Sequence, residues 1–379
     1  MQADHFRDAL HHFQRTLEVW PDDAALQFLA ARAARRAGDF ELADGYLTKC
    51  RAVPAQAEAA ELERVLLRAS RGEIDAVGDY CRALLQQDHP DTPLILEALA
   101  QGELKLLRFG AASAHLDRWL EIAPDHAQAI FLKGRLQLQA SNSQEAIGLL
   151  RRAVELDPNR DDARILLAGL HLDLGQAQEA LPHLQVVASR QPHNVPVQAR
   201  LAQALVLLGR EQEALKLLDQ VLDRRPDLVD ALLERGKLAL RAGELDKAEE
   251  WLQLAAKRDA GNRAVHYQLL QCLKRRGKDA QARAVQERLS KIDQDAARMR
   301  EIVTVLLPTR RLDPDLQAEL GAIFLRGGAS TEGIHWLHRA LEIAPRHAAA
   351  HHALAAHYQS LGQFGQAQHH RALAGPEKK

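Results

Sequence analysis

Apolar residues fall three or four apart along most of the chain, the spacing of one helix face. At the start, Phe6, Leu10, Phe13, Leu17 and Trp20 form such a stripe. Pro21 blocks its continuation, and Asp22 and Asp23 suit the first turn of a following helix. A helix this short is marginal alone in water, so it needs neighbours. Similar short helical segments, ended by proline or glycine, follow one another down the sequence. No long alternating β-branched run occurs, so no strand is predicted.

The pattern repeats with a period of 34 residues. Segments 127–160, 161–194, 195–228 and 229–262 align without a gap. Position 8 is small (Gly134, Ala168, Ala202, Gly236) and position 20 is alanine (Ala146, Ala180, Ala214, Ala248). Position 24 is leucine (Leu150, Leu184, Leu218, Leu252), and position 32 is proline at Pro158, Pro192 and Pro226. Small residues at 8 and 20 let two antiparallel helix backbones approach, and the leucine fills the adjacent hole. The prolines end second helices. Gly175, Gly209 and Gly243 stand in the turns, where a left-handed residue is needed.

This pattern resembles the tetratricopeptide repeat (TPR) family in its bacterial form, and the resemblance covers nearly the whole chain. It implies an all-α fold, a right-handed superhelical solenoid of antiparallel helix pairs, with about ten repeats and an N-terminal half repeat. The expected divisions are a capping helix or half repeat at 1–23, eight repeats over 24–296, an extended helix and connector at 297–313, and two repeats over 314–379. Residues 58–92 and 263–296 match the pattern loosely. In 1–23, Ala9 and Phe13 take positions 20 and 24, so this segment reads as a second helix packing on 24–36. It is either an end cap or the remainder of a repeat whose first helix lies upstream. Similar bacterial repeat proteins often carry a membrane anchor there, so the expected location is cytoplasmic for the chain as given, or membrane-anchored through such a segment. Over 279–308 the helical spacing continues without glycine, predicting a second helix extended to about Leu307 and then a turn through Asp313-Pro314. That stretch reads as a spacer, or else as a docking arm over 290–313.

Composition narrows the function. Lysine and arginine number 50 against 51 acidic residues, a balance that argues against a general nucleic-acid binder. No stretch is long and apolar enough to span a bilayer. The three cysteines, Cys50, Cys81 and Cys272, form no CxxC motif, and Cys50 and Cys81 fall at packing positions. No nucleotide loop, GxSxG, HExxH or kinase signature appears. His335 and His338, and His347 and His351, have spacings that can share a metal, but no cysteine or glutamate completes a site. No catalytic residue, cofactor or metal is expected.

The resemblance implies a concave face lined by first helices, mainly at positions 2, 5, 9, 12 and 13. Those positions hold Gln128, Phe131, Arg135 and Gln139, then Asp162, Ile165, Gly169 and Asp173, then Ala199 and Gln203. Further on they hold Leu233, Lys237 and Arg241, then Tyr267, Gln271, Lys274 and Arg275, with Phe28, Arg32, Arg35 and Arg36 near the start. The lysine-asparagine clamp of chaperone-tail binders is absent. Phe131, Arg135, Leu233, Lys237, Arg241, Tyr267, Lys274 and Arg275 are the expected groove residues. They suit a protein or peptide partner with acidic residues and an apolar anchor, although a charged face can equally be merely solvated. The expected function is a non-catalytic interaction scaffold. The alternative is the repeat region of, or an accessory subunit to, a larger glycosyl- or sulfo-transferase-like system or a membrane-anchored assembly.

Overall fold

A computed structural model describes residues 6–50, 57–87 and 89–374. All of its regular elements are helices, and no strand occurs among the described residues. The chain divides into two compact units, residues 1–183 and 184–379. The first holds α1 (Phe6–Val19), α2 (Ala24–Ala37), α3 (Phe40–Cys50), α4 (Ala57–Arg71), α5 (Ile74–Gln86), α6 (Thr92–Lys105), α7 (Phe109–Ile122), α8 (Ala127–Gln139), α9 (Ser143–Leu156) and α10 (Asp161–Asp173). Helix α11 (Ala177–Arg190) runs across the division. The second unit continues with α12 (Val195–Leu207), α13 (Glu211–Arg224), α14 (Val229–Ala242), α15 (Leu245–Arg258), α16 (Arg263–Arg275), α17 (Asp279–Glu301), α18 (Leu307–Thr309), α19 (Pro314–Arg326), α20 (Ser330–Ile343), α21 (Ala348–Ser360) and α22 (Phe364–Ala374).

The helices start and stop where the chain chemistry dictates. Asp23 accepts from the backbone N–H groups of Ala25 and Leu26 at 2.9 and 3.0 Å, satisfying orphan donors at the start of α2. Asn194, Asn262 and Asp313 cap α12, α16 and α19 in the same way. Gly175, Gly209 and Gly243 adopt φ of 73°, 75° and 77°, as the turn positions require. Helix α1 packs on α2, burying Phe6, Leu10 and Leu17, while Trp20 stays exposed.

Within a hairpin, the decisive contact is between positions 8 and 24. A Cβ on Gly134 would stand 3.1 Å from Leu150, one on Gly236 2.6 Å from Leu252, and one on Gly321 2.7 Å from Leu337. The leucines are fully buried, as are Ala146, Ala180, Ala214 and Ala248 at position 20. Between the first helices α4 and α6 there is a further close approach: a Cβ on Gly102 of α6 would stand 2.0 Å from the Ala69 carbonyl of α4.

Helix α17 has 23 residues, against 14 in α15, and the helical path continues beyond it. Pro308 lacks an N–H, and in a regular helix its ring would crowd the Thr304 carbonyl. The chain relieves this with a π turn over Ile302–Leu306, in which the Leu307 N–H reaches back to the Ile302 carbonyl. Helix α18 then ends at Thr309, two residues past the predicted limit. The lengthened segment is bound to α19. Arg298 donates to both Glu319 oxygens at 2.7 Å, and Arg326 donates to both Asp295 oxygens at 3.0 and 2.8 Å. Ile302, Val303 and Leu307 are buried beside them.

The hairpin contact makes a direct test. Gly236→Ala, Ala146→Leu and Ala180→Leu each overpack a closed interface and should cost about 1–3 kcal/mol. Urea denaturation monitored by circular dichroism should show the loss, and unchanged midpoints in all three would contradict the register.

Candidate functional site

Two polar surfaces are built from first helices, one in each unit. In the first unit the arginines Arg32, Arg35 and Arg36 of α2 turn inward rather than to solvent. Arg35 Nε donates to Glu63 Oε1 at 2.5 Å, and Arg32 Nε to Glu63 Oε2 at 3.1 Å. Arg35 and Glu63 are both fully buried. Arg36 pairs with Glu97 of α6 at 2.8 Å, with its guanidinium 3.8 Å from the centre of the Phe6 ring. The Gln128 amide of α8 donates to Glu97 at 2.8 Å, and Arg160 in turn donates to the Gln128 oxygen. A row of buried polar groups thus links α2, α4, α6 and α8 to the start of α10.

This row explains where Phe131 and Arg135 go. Phe131 is only 6 % exposed, with the Arg160 guanidinium 4.6 Å from its ring centre. It belongs to the core and offers little surface to a ligand. Arg135 is partly buried, and burial draws its pKa below the usual arginine value, with Asp162 opposing. Glu63, Glu97 and Arg160 were not among the sequence candidates. Their signal is a charged residue at a mid-helix or helix-entry position where a core side chain would be expected.

In the second unit, Lys237 and Arg241 lie on α14 and Tyr267, Lys274 and Arg275 on α16, adjoining first helices. Lys237 donates to Glu234 at 2.6 Å. Arg241, half exposed, pairs with Glu211 at 3.3 Å, and Arg275 donates to the Leu240 carbonyl at 2.7 Å. Lys274 is exposed and makes no ion pair among the described residues. Leu233 is 8 % exposed and packs inward, like Phe131. Burial pushes the Glu234 carboxyl above its ordinary range despite Lys237. Its folded pKa is raised, so its contribution to stability is full below about pH 4.3 and is lost as pH rises through the folded value. Burial thus opposes a charge on Glu234, and Lys237 favours it.

Tyr267, 47 % exposed, lines a cleft of about 550 Å³ between α16 and α17, together with Leu270 and Leu289. Arg263 and Asp293 pair beside it at 2.7 Å.

Models of tetratricopeptide repeats match residues 1–57, 171–236 and 208–266, and a model of anaphase-promoting complex, cyclosome, subunit 3 matches 106–187. The matched stretches together span more than half of the chain. The chain belongs to the tetratricopeptide repeat family. No curated protein sequence matches it. Among solved structures, a human IFIT1 dimer with m7Gppp-AAAA is similar at 15 % identity, over 98 % of this chain and 94 % of that one, with a TM-score of 0.46. YrrB, described as a TPR protein with an unusual peptide-binding site, is similar at 20 % identity, over 49 % of this chain and 95 % of that one, with a TM-score of 0.42. Pseudomonas aeruginosa PilF is similar at 17 % identity, over 53 % and 92 %, with a TM-score of 0.43.

In this TPR chain the cysteines, His347 and His351 have structural employment. The three cysteines are buried, and burial raises their thiol pKa values, that of Cys81 to about 11. His347 accepts from the Ala350 N–H and meets Asp315 at 2.9 Å. His351 meets the Pro345 carbonyl at 3.0 Å and His370 at 2.9 Å. Among the described residues no group of three side chains is placed to hold a metal. No described helix is long and apolar enough to cross a membrane.

The buried carboxylate Glu63 carries a pH prediction. Burial pushes its pKa up, but Arg35 and Arg32 outweigh that, and the net value lies below the ordinary one. The stabilisation is therefore present above about pH 4.3 and lost as pH falls through the lower folded value. Glu63→Ala strands two arginines and should cost about 3–5 kcal/mol at neutral pH. Denaturation curves of parent and variant should converge as the pH is lowered through the acid range, and a constant difference would show that the pair is not the source.

Proposed function

We propose that the chain is a non-catalytic scaffold whose second unit binds a protein segment carrying acidic residues and an apolar anchor. The observation that carries this reading is the placement of Arg241, Lys274 and Arg275 on adjoining first helices, all three exposed. The ion pair of Arg241 with Glu211 is a surface pair, worth about 0–1 kcal/mol, so an incoming carboxylate can exchange with it. Lys274 is open to a carboxylate without any exchange. Tyr267, two helical turns from Lys274, supplies an apolar face. Arg135, partly exposed above the buried Phe131 ring, is proposed as a secondary contact within the first unit. Leu233 supports the strip from beneath. Family membership supports a scaffold role because stacked helix pairs present extended binding surfaces.

The structure alters the choice of test residue. Lys237 is the partner of the buried Glu234, so Lys237→Glu sets two carboxylates together and should destabilise the unit by about 1–3 kcal/mol. The informative variant is Arg241→Glu with Lys274→Glu. A blocked peptide with three glutamates and one leucine should bind the parent at low salt and weaken as salt rises. The double variant should bind it about tenfold more weakly, about 1.4 kcal/mol, with unchanged helicity and melting. Equal binding by parent and double variant in calorimetric titration would remove the strip as the site.

A further inference from the structure

We infer that the cleft between α16 and α17 is a second binding site, one for an uncharged, extended peptide segment with an apolar side chain. It lies where the contact that closes most hairpins is inverted. In those a small residue at position 8 meets leucine at position 24, as in Gly236 with Leu252 and Gly321 with Leu337. Here position 8 is Leu270 and position 24 is Gln286. Ala282 keeps the small residue at position 20, nearer the turn. A leucine where a glycine would allow backbone contact holds the helices apart towards the start of α16. A glutamine, long and polar, does not fill the space as leucine would. The result is the opening of about 550 Å³, within the usual range for ligand sites.

The walls specify the occupant. Gln286, Ser290 and Gln294 stand at i, i+4 and i+8 on α17, all exposed to the cleft. Their axial spacing is about 6 Å per step. An extended chain repeats its orientation every two residues, about 6.6 Å. Three side-chain hydrogen-bonding groups can therefore meet alternate backbone groups of one extended segment. Gln286 makes no hydrogen bond among the described residues, and Gln294 makes one long bond, 3.3 Å, to the Ser290 hydroxyl. Side chains of the segment that point inward meet Leu270, Leu289 and Tyr267. Arg263 and Asp293 neutralise each other at the edge, so the cleft presents no net charge to its ligand. This complementarity sets it apart from the basic strip, which calls for an acidic segment.

The test uses the full chain and a blocked hexapeptide of alternating leucine and serine. The parent should bind it with an affinity that barely changes from about 0.05 to about 0.5 M salt, because no charge is engaged. Leu270→Gly with Gln286→Leu restores the ordinary small–large pair and should close the cleft, weakening binding at least about tenfold. Should that double change disturb folding, the exposed single changes Gln286→Ala and Gln294→Ala serve instead, each weakening binding about threefold, the worth of one hydrogen bond. Arg241→Glu with Lys274→Glu should leave the hexapeptide affinity unchanged, which separates this site from the acidic-peptide strip. No binding by the parent, undiminished binding by folded cleft variants, or binding lost in the strip variant would each overturn the assignment.

Discussion

The fold rests on the contact of a small residue with a leucine between the two helices of a hairpin. Amphipathic helices of 13 or 14 residues, such as α8 and α9, cannot persist in water by propensity alone. They persist because Gly134 lets the α8 backbone approach Leu150, which is then wholly removed from water. Repeating that contact defines the spacing within most hairpins. Each proline or glycine between hairpins then has only to turn the chain. At Leu270 and Gln286 the pair is inverted, and a cleft stands between α16 and α17.

The second helix of that hairpin is also the lengthened one. Helix α17 runs on through a π turn, and the helical path ends at Thr309. Helix α19 is then held by charge as much as by apolar packing. Asp295 and Glu319 each accept two hydrogen bonds from a guanidinium, and Arg288 donates to the Ala260 and Arg326 carbonyls. Gly261 lies so close to Gly327 that a Cβ would stand 2.4 Å from its carbonyl oxygen. Bidentate pairs fix orientation better than isolated apolar contacts do. The join between α17 and α19 is therefore a defined one despite its irregular path.

Helix positions and hairpin pairing were legible because they follow from period and small-residue placement, which are local in sequence. Pro308 marked the end of the long helix, but the π turn before it was not foreseen, since it arises from accommodating a proline within an otherwise favourable helix. The candidate groove was less legible. Its residues were selected by position alone, and position does not say whether a side chain has a closer partner. Phe131 and Leu233 proved to be core residues, Lys237 the counter-charge of a buried glutamate, and Arg35 the partner of Glu63. Glu63 lies 28 residues from Arg35 on a neighbouring helix and becomes visible only once the helices are stacked, whereas Glu234 lies 3 residues from Lys237 on the same helix and only its burial is hidden in the sequence.

The two polar surfaces consequently have different physical roles although both arise from first-helix arginines. At Arg35 and Glu63 the desolvation cost is already met by mutual pairing, and removing either charge leaves the other stranded. Such a pair cannot exchange with a ligand without losing more than it gains, so it fixes the stacking of α2 on α4. At Arg241 and Lys274 the charges remain in water, the ion pair of Arg241 with Glu211 is a weak surface one, and exchange is nearly free of desolvation cost. Burial therefore sorts a uniform-looking set of basic positions into structural pairs and the exposed charges proposed for recognition. The α16–α17 cleft is distinct from both, because its charges cancel at the edge while Gln286 makes no hydrogen bond among the described residues and Gln294 only a long one. A ligand there gains from backbone hydrogen bonds and apolar contact, the two terms that salt affects least.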